Sequence, residues 1–284
     1  MPARNPFLRF LQQIPYMRPI QPKGRSSGKM RQWAAVVVLL AAIWAIYDPT
    51  IWFKIVSLFD YPFHYKEYKE FGIRIPNGYD IHGIDVSRHQ SRVDWGRVKK
   101  MRVKDIRISF AFIKASEGSW LKDREFDFNW ENARKNGLIR GAYHYFLPDV
   151  SPKMQALNFT KIVSLRSGDL PPVVDVEETR GMTKPQIQRY TKEFLRLLEQ
   201  RYKAKPILYT NRDFYKNYFA DVPEFEGYRF WIAHYHVTDL DLPGDSDWHF
   251  WQHSDRGNVN GINELVDFNV FNGDSAALRR LCLP

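Results

Sequence analysis

The feature that most restricts the fold is a series of eight apolar or β-branched runs between Gly83 and Phe271. They are GIDVS at 83–87, SFAFIKAS at 109–116, LIRGAYHYF at 138–146, PVVDVE at 172–177, KPILYT at 205–210, RFWIAHY at 229–235, WHFWQHS at 248–254 and LVDFNVF at 265–271. Short runs of this composition read as strands, because branched and aromatic side chains suit a pleated surface. The earlier gaps have room for helices. VDWGRVKKM, FDFNWENARKNG, SPKMQALNFTKIVSL and TKPQIQRYTKEFLRLLEQRY place apolar residues at helical spacing between start and stop residues. The last two gaps are short and rich in Gly, Asp and Asn. Alternating strand and helix predicts an α/β fold with a parallel sheet. Eight strands predict closure into a TIM-like barrel whose last third lacks outer helices.

Charge divides the chain further. Net charge is +10 over 284 residues, yet the first 47 residues hold seven Lys and Arg and no acid, which leaves the remainder near +3. A nearly neutral folded part argues against a nucleic-acid-binding domain, and no zinc-finger or RNA-recognition signature is present. Trp33 to Tyr47 reads WAAVVVLLAAIWAIY, an uncharged run with aromatic ends. Extended to Phe53, it fits a transmembrane signal anchor, with a cleaved signal and a buried helix as competitors. The basic residues precede the apolar run, so the positive-inside rule keeps the N-terminus cytoplasmic and exports the rest. The expected layout is a basic cytoplasmic arm over 1–32, an anchor over 33–53, a juxtamembrane linker over 54–78 and a barrel over 79–284. Lys and aromatic residues of the linker are placed either against lipid headgroups or in solvent. The single cysteine, Cys282, forms no internal disulfide.

In parallel α/β barrels, sites lie at the C-terminal ends of the strands. Those ends offer Asp85; Lys114 and Glu117; Tyr143, His144 and Tyr145; Asp175 and Glu177; Tyr209 and Asn211; Trp231, His234 and Tyr235; Trp251, Gln252 and Ser254; and Asp267 and Asn269. In PPVVDVEE, Asp175 and Glu177 are two apart, so a strand turns both to one side. Like charges on one face resist ionising together. The pair reads either as a solvated strand end or as a proton donor with a partner that tunes it. Asp85 reads either as a turn cap or as a catalytic acid, Glu117 as a loop residue that orders its neighbours and Glu178 as a solvated neighbour. Carboxylates walled by aromatics suit a sugar polymer, since glycosidic cleavage needs one carboxyl to donate a proton and another to stabilise the oxocarbenium-like centre. The histidines His144, His234, His236, His249 and His253 lack a recognisable ligand spacing, so no metal is expected.

GIDVSRHQ, AFIKASEG, GAYHYF, PPVVDVEE, LYTN, WIAHY, WQHS and VDFNVF stand in this order. Together they resemble the glycoside hydrolase family 25 lysozymes, the Chalaropsis type, over about Gly83 to Phe271. The resemblance implies a barrel of five βα units closed by three further strands. It implies an N-acetylmuramidase that cuts the β-1,4 bond between N-acetylmuramic acid and N-acetylglucosamine in peptidoglycan. It assigns Glu177 as proton donor, Asp175 as its partner, and Asp85 and Asp267 to the acidic set. Tyr143, Tyr209, Trp231, Tyr235 and Gln252 match positions that line the sugar groove. No cofactor is implied. The expected partners are peptidoglycan strands and, through the N-terminal helix, membrane lipid; the chain is expected to be monomeric. A glycan-binding scaffold and a chitin-type hydrolase are the competing readings.

Overall fold

The computed structural model describes Trp33, Val36, Val37 and residues 64–237, 239–242 and 248–284. Contacts divide the chain into two units, Met1–Trp52 and Phe53–Pro284. The span expected over 33–53 lies outside the described residues, apart from Trp33, Val36 and Val37. Among the described residues no helix is long and apolar enough to cross a membrane.

The second unit opens with a hairpin of β1 (Tyr65–Tyr68) and β2 (Ile73–Pro76). It continues through β3 (Ile81–Val86), α1 (Trp95–Lys100), β4 (Arg102–Val103), β5 (Ile106–Glu117), β6 (Leu121–Lys122), α2 (Phe126–Lys135), β7 (Ile139–Tyr145) and α3 (Pro152–Ile162). Then come β8 (Val173–Asp175), α4 (Lys184–Tyr202), β9 (Ile207–Asn211), β10 (Arg229–Ala233), β11 (Trp248–Gly257), β12 (Val266–Phe271) and α5 (Ser275–Leu281). Short helical turns at Arg212–Phe214 and Tyr215–Phe219 follow β9. Each of the eight expected runs forms a strand.

β3, β5, β7, β8, β9, β10 and β11 pair in parallel, in that order. β12 lies antiparallel between β11 and β3 and closes the barrel. The connection into β12 is too short for the crossover that a parallel strand requires. Helices start where side chains satisfy free backbone donors. Asp94 accepts from the Arg97 N–H, Thr183 and Gln186 form a capping box, and Asp274 accepts from the Ala277 N–H. α4 buries the stripe Ile187, Thr191, Phe194, Leu195 and Leu198 against the strands.

The barrel interior is aromatic. Phe112 stacks on Trp231 at 4.2 Å between centroids, and Phe110 and Phe250 meet it edge-on. These rings fit only because two facing positions lack a side chain. A Cβ on Gly83 would lie 2.4 Å from the Phe110 ring, and one on Gly141 2.6 Å from Phe112. Leu278 and Leu281 of α5 join this inner cluster beside Ile81 and Ile207, at the end where the strands begin.

The hairpin corrects the expected linker over 54–78. Residues 65–76 are packed structure: Tyr68, Phe71, Ile73 and Ile75 are buried in the main core. Phe71 meets Phe268 edge-on at 5.0 Å, and its carbonyl accepts from the Asn258 N–H at 2.8 Å. The physical reason is the missing helices. β11 and β12 turn Trp251, His253, Val266, Phe268 and Val270 outward with no helix among the described residues to cover them, and the hairpin buries that face. His82 and His253 lie beneath this cover; burial lowers their pKa values to about 4 and about 3. We expect Phe71→Ala to cost about 3–5 kcal/mol of unfolding free energy, read from the denaturant midpoint at constant slope. A loss under about 1 kcal/mol, the range of a surface substitution, would show the hairpin to be peripheral.

Candidate active site

The acid pair follows from how β8 ends. Past Asp175 the chain stays extended: the Val176 N–H donates to the Tyr209 carbonyl at 3.0 Å, and Thr210 Oγ1 donates to the Val176 carbonyl at 2.7 Å. Val176 is buried outward, so Asp175 and Glu177 both face the barrel axis. Their carboxyl groups are close enough to hydrogen-bond once one of them carries a proton, and Asp175 Oδ1 is buried with no other partner. Burial, then the Glu177 charge, holds Asp175 well above the usual carboxylate range. Burial also raises Glu177, against the opposing effects of the Asp175 hydrogen bond and Lys114. Two carboxyls this close and dry share one proton. It resides mainly on Asp175, the more deeply buried at 5% exposure, which donates to Glu177. Lys114 of β5 is the cation facing the pair. Its Nζ contacts Glu117 at 2.8 Å and lies 4.7 Å above the Tyr145 ring.

A second pair sits on the neighbouring strands. Asp85 of β3 and Asp267 of β12 are directly opposite each other, a destabilising arrangement if both are charged. Hydrogen bonding decides which one ionises. Gln252 Nε2 donates to Asp85 Oδ2 at 2.8 Å, and Asn269 Nδ2 donates to the same oxygen at 2.7 Å. Both amides are oriented from behind. Tyr209 and Tyr235 donate to Gln252 Oε1 at 2.8 and 2.6 Å, and Trp231 Nε1 donates to Asn269 Oδ1 at 2.7 Å. Burial raises Asp85 to about 6 against these donors. Burial, then the Asp85 charge, pushes Asp267 up to about 9. At neutral pH Asp85 is therefore the anion and Asp267 carries a proton.

The four acids converge on one end of the barrel. Tyr143 is half-buried among them; burial first, then the charges of Asp85, Asp175 and Asp267, raises its pKa. Tyr235 is half-buried beside Asp267 and Asp85. Trp231 is only 2% exposed and its face is covered by Phe112, so it offers no free sugar platform. With the buried Tyr209 and Gln252 it forms the layer beneath the groove that positions Asp85. Trp251 and His144 point outward. His144 is held between Ser116 Oγ at 2.7 Å and Gln155 Oε1 at 3.1 Å. Glu178, expected in solvent alone, accepts from Tyr145 Oη at 2.5 Å and pairs with Arg180 at 3.6 Å. Sequence reasoning missed Trp120. It is 81% exposed on the turn between β5 and β6, which Asn158 Nδ2 pins at the Gly118 and Leu121 carbonyls. The signal was its place just past a strand's C-terminal end. Among the described residues, no group of three His, Cys, Asp or Glu side chains is arranged to hold a metal. A depression of about 370 Å³ lined by Arg92, Trp95, Phe128 and Asn136 lies on the outside of the barrel, apart from the acids.

An α/β barrel with clustered, proton-sharing carboxyls at the C-terminal end of its strands defines a glycoside hydrolase. The chain belongs to the glycosyl hydrolases family 25, whose family model matches residues 84–262. It is 50% identical to the uncharacterized protein YegX of Escherichia coli (strain K12) over 209 residues, 74% of this chain and 76% of that one. It is 35% identical to Lysozyme M1 of Streptomyces globisporus over 217 residues, 71% of each chain. A solved family 25 glycosyl hydrolase from Bacillus anthracis matches with a TM-score of 0.67 and 30% identity, over 78% of this chain and 98% of that one.

Asn269→Ala removes one of the two donors that stabilise ionised Asp85. The Asp85 titration is expected to rise from about 6 by about one unit or more, followed by the carboxyl ¹³C shift against pH. An unmoved midpoint would mean that Gln252 alone holds the charge.

Proposed function

We propose that the protein is a peptidoglycan hydrolase that cleaves the β-1,4 bond between N-acetylmuramic acid and N-acetylglucosamine. The observation that carries this reading is the placement of Asp175 and Glu177 side by side at the end of β8, facing the barrel axis, with Asp85 held by two amide donors at the same end. The two curated relatives named as a lysozyme and as an autolytic lysozyme support it.

In this mechanism Glu177 delivers the proton. It is the more exposed member of the pair and faces the groove. As the glycosidic C–O bond breaks, the leaving oxygen takes the shared proton through Glu177, while Asp175 passes its share along their hydrogen bond. The pair becomes doubly charged just as positive charge develops at the anomeric carbon. A repulsion that is costly in the resting site is thereby offset in the transition state, which is where stabilisation accelerates a reaction. Asp85, already anionic and held rigidly by two amides, adds to that field. Asp267, protonated, supplies a donor toward the sugar. Tyr143 and Tyr235 line the groove as sugar contacts.

Localisation follows from the N-terminal charge pattern. The chain is anchored by residues 33–53 as a single span, the arm over 1–32 stays in the cytoplasm, and a monomeric barrel works outside, on the periplasmic or extracellular side. Seven bases and no acid before residue 48 support this orientation.

Two measurements test the reading. Purified peptidoglycan treated with the protein should yield new reducing ends that mass spectrometry identifies as muramic acid. Glu177→Gln should reduce that rate by roughly 10²- to 10⁴-fold, the usual worth of general acid catalysis, with an unchanged unfolding midpoint. Full activity in the Gln variant would remove Glu177 from the role. In sealed inner-membrane vesicles of known orientation, protease should reach the barrel only from the non-cytoplasmic face; digestion from the cytoplasmic face would refute the anchor.

A further inference from the structure

The barrel carries a cluster of uncompensated positive charge at the end opposite its acids. The last turn of α1, β4 and the start of β5 present Arg97, Lys99, Lys100, Arg102, Lys104 and Arg107, all exposed. Among the described residues, none of these six forms an ion pair. Asp105, the one acid in the stretch, accepts from Tyr68 Oη at 3.2 Å. The bases crowd one another. Arg102 and Arg107 stand directly opposite in the β4–β5 pair, where like charges destabilise a sheet. Lys99 lies close enough to Arg107 for that charge to lower its pKa, after burial. Their contacts within the fold are neutral ones: Lys99 Nζ donates to the Gly137 carbonyl at 2.8 Å, Arg102 Nε to the Lys104 carbonyl at 3.4 Å, and Lys104 lies over the Tyr68 ring.

We propose that this surface docks the barrel on the phosphate headgroups of an anionic membrane. Basic clusters bind anionic bilayers by charge attraction, with little need for shape. The patch also lies beside β1, the first strand of the described barrel unit. Tyr68 of β1 sits under Lys104, 5.2 Å from Nζ to ring centroid. The choice of lipid over another polyanion rests on the anchor proposed above. From Phe53 to Tyr65 the connection spans at most about 40 Å when extended, so an anchored barrel stays within reach of the bilayer. The docked barrel would turn the C-terminal ends of its strands, and so its groove, away from the membrane and toward the wall.

The test uses the unit Phe53–Pro284, which removes the N-terminal arm and its own charge. Its core is built from its own residues, and the solved Bacillus anthracis chain matches this barrel over 98% of its length. Sedimentation with phosphatidylcholine vesicles containing 30% phosphatidylglycerol should show binding that fades with added salt and is absent with pure phosphatidylcholine. Each basic residue near an anionic surface is worth roughly fivefold in binding. Reversing Lys100, Arg102, Lys104 and Arg107 to Glu should therefore weaken binding by more than about 10²-fold. Reversing Lys184, Arg189, Arg196 and Arg201 on α4, the same change in net charge, should weaken it far less. Hydrolysis of soluble glycan fragments should be unchanged in the patch variant, which separates loss of docking from loss of fold or activity. No binding by the wild type, or equal loss in both variants, would overturn the proposal. Tighter binding to a soluble glycerol-phosphate polymer than to the vesicles at equal phosphate would also overturn it, giving the surface to a wall polymer.

Discussion

Four carboxyl groups converge, largely buried, on one end of a barrel where Lys114 is the cation that faces them, and the rest of the site is organised by that conflict. Two separate solutions operate. Asp175 and Glu177 share a proton, so that pair carries one charge. Asp85 and Asp267, forced opposite each other by the closing register of β12 on β3, divide the burden unequally because Asp85 receives two side-chain amide donors on one oxygen. The amides keep their orientation because two tyrosines and a tryptophan occupy their carbonyl oxygens. Ionisation at the groove is thus fixed by side chains one layer below it, and those are locked by the aromatic packing of the interior. Room for that packing comes in turn from Gly83 and Gly141. A methyl group added at Gly83, two residues from Asp85 on the same face, would be felt in the acid's environment as well as in stability.

The second constraint is the barrel's unequal wall. Five crossovers carry helical structure, and among the described residues the last two do not. The bare outer faces of β11 and β12 bear Trp251, His253 and Phe268, which cannot remain exposed. A four-residue hairpin pair from the N-terminal side supplies the cover that helices provide elsewhere. Covering with a hairpin has a consequence that helices would not bring: its turn packs Gly72, at φ 68°, so closely on Asn258 that a side chain there would collide. The connection between β11 and β12 is thus clamped by the segment that leads into the barrel.

Much of the fold was legible in the sequence because strand runs such as SFAFIKAS and RFWIAHY combine high β-propensity with clear breaks on either side. Four helices were legible from spacing and caps, including Gly137 at φ 71° after α2. The hairpin was not read, although Phe71, Ile73 and Ile75 alternate with polar residues at period two. Charged YKEYKE beside an apolar run resembles a linker, and the need to cover β11 emerges only once the barrel is closed. α5 was missed because seven residues give too little periodicity, despite Asp274 as its cap. In the site, the inward parity of Asp175 and Glu177 followed from a period of two. The partnership of Gln252 and Asn269 on one oxygen could not, because it depends on which strands become neighbours at closure. Trp231 shows the same limit. Its parity pointed inward, but only the facing Phe112 determines that it is buried packing.

Charge also orders the molecule along the barrel axis. The acids occupy the ends where parallel strands finish, and the unpaired bases of α1 and β4 occupy the ends where strands begin. An antiparallel return of each helix makes this separation automatic: a residue late in α1 must lie at the opposite end from a residue late in β3. The acidic end gains by remaining apart from mobile cations, because a Lys or Arg free to reach Asp175 would lower its pKa and strip the shared proton. Lys114, the cation that faces the pair, is restrained by Glu117 and by the Tyr145 ring, and Arg180 nearby is held by Asp149 and Glu178. The reach and the net charge of Lys114 are both limited, so the pair feels a bounded attraction and keeps its proton. The long-range separation of bases from acids and the short-range restraint of Lys114 therefore serve one requirement, a carboxyl pair that is still half protonated when a sugar arrives.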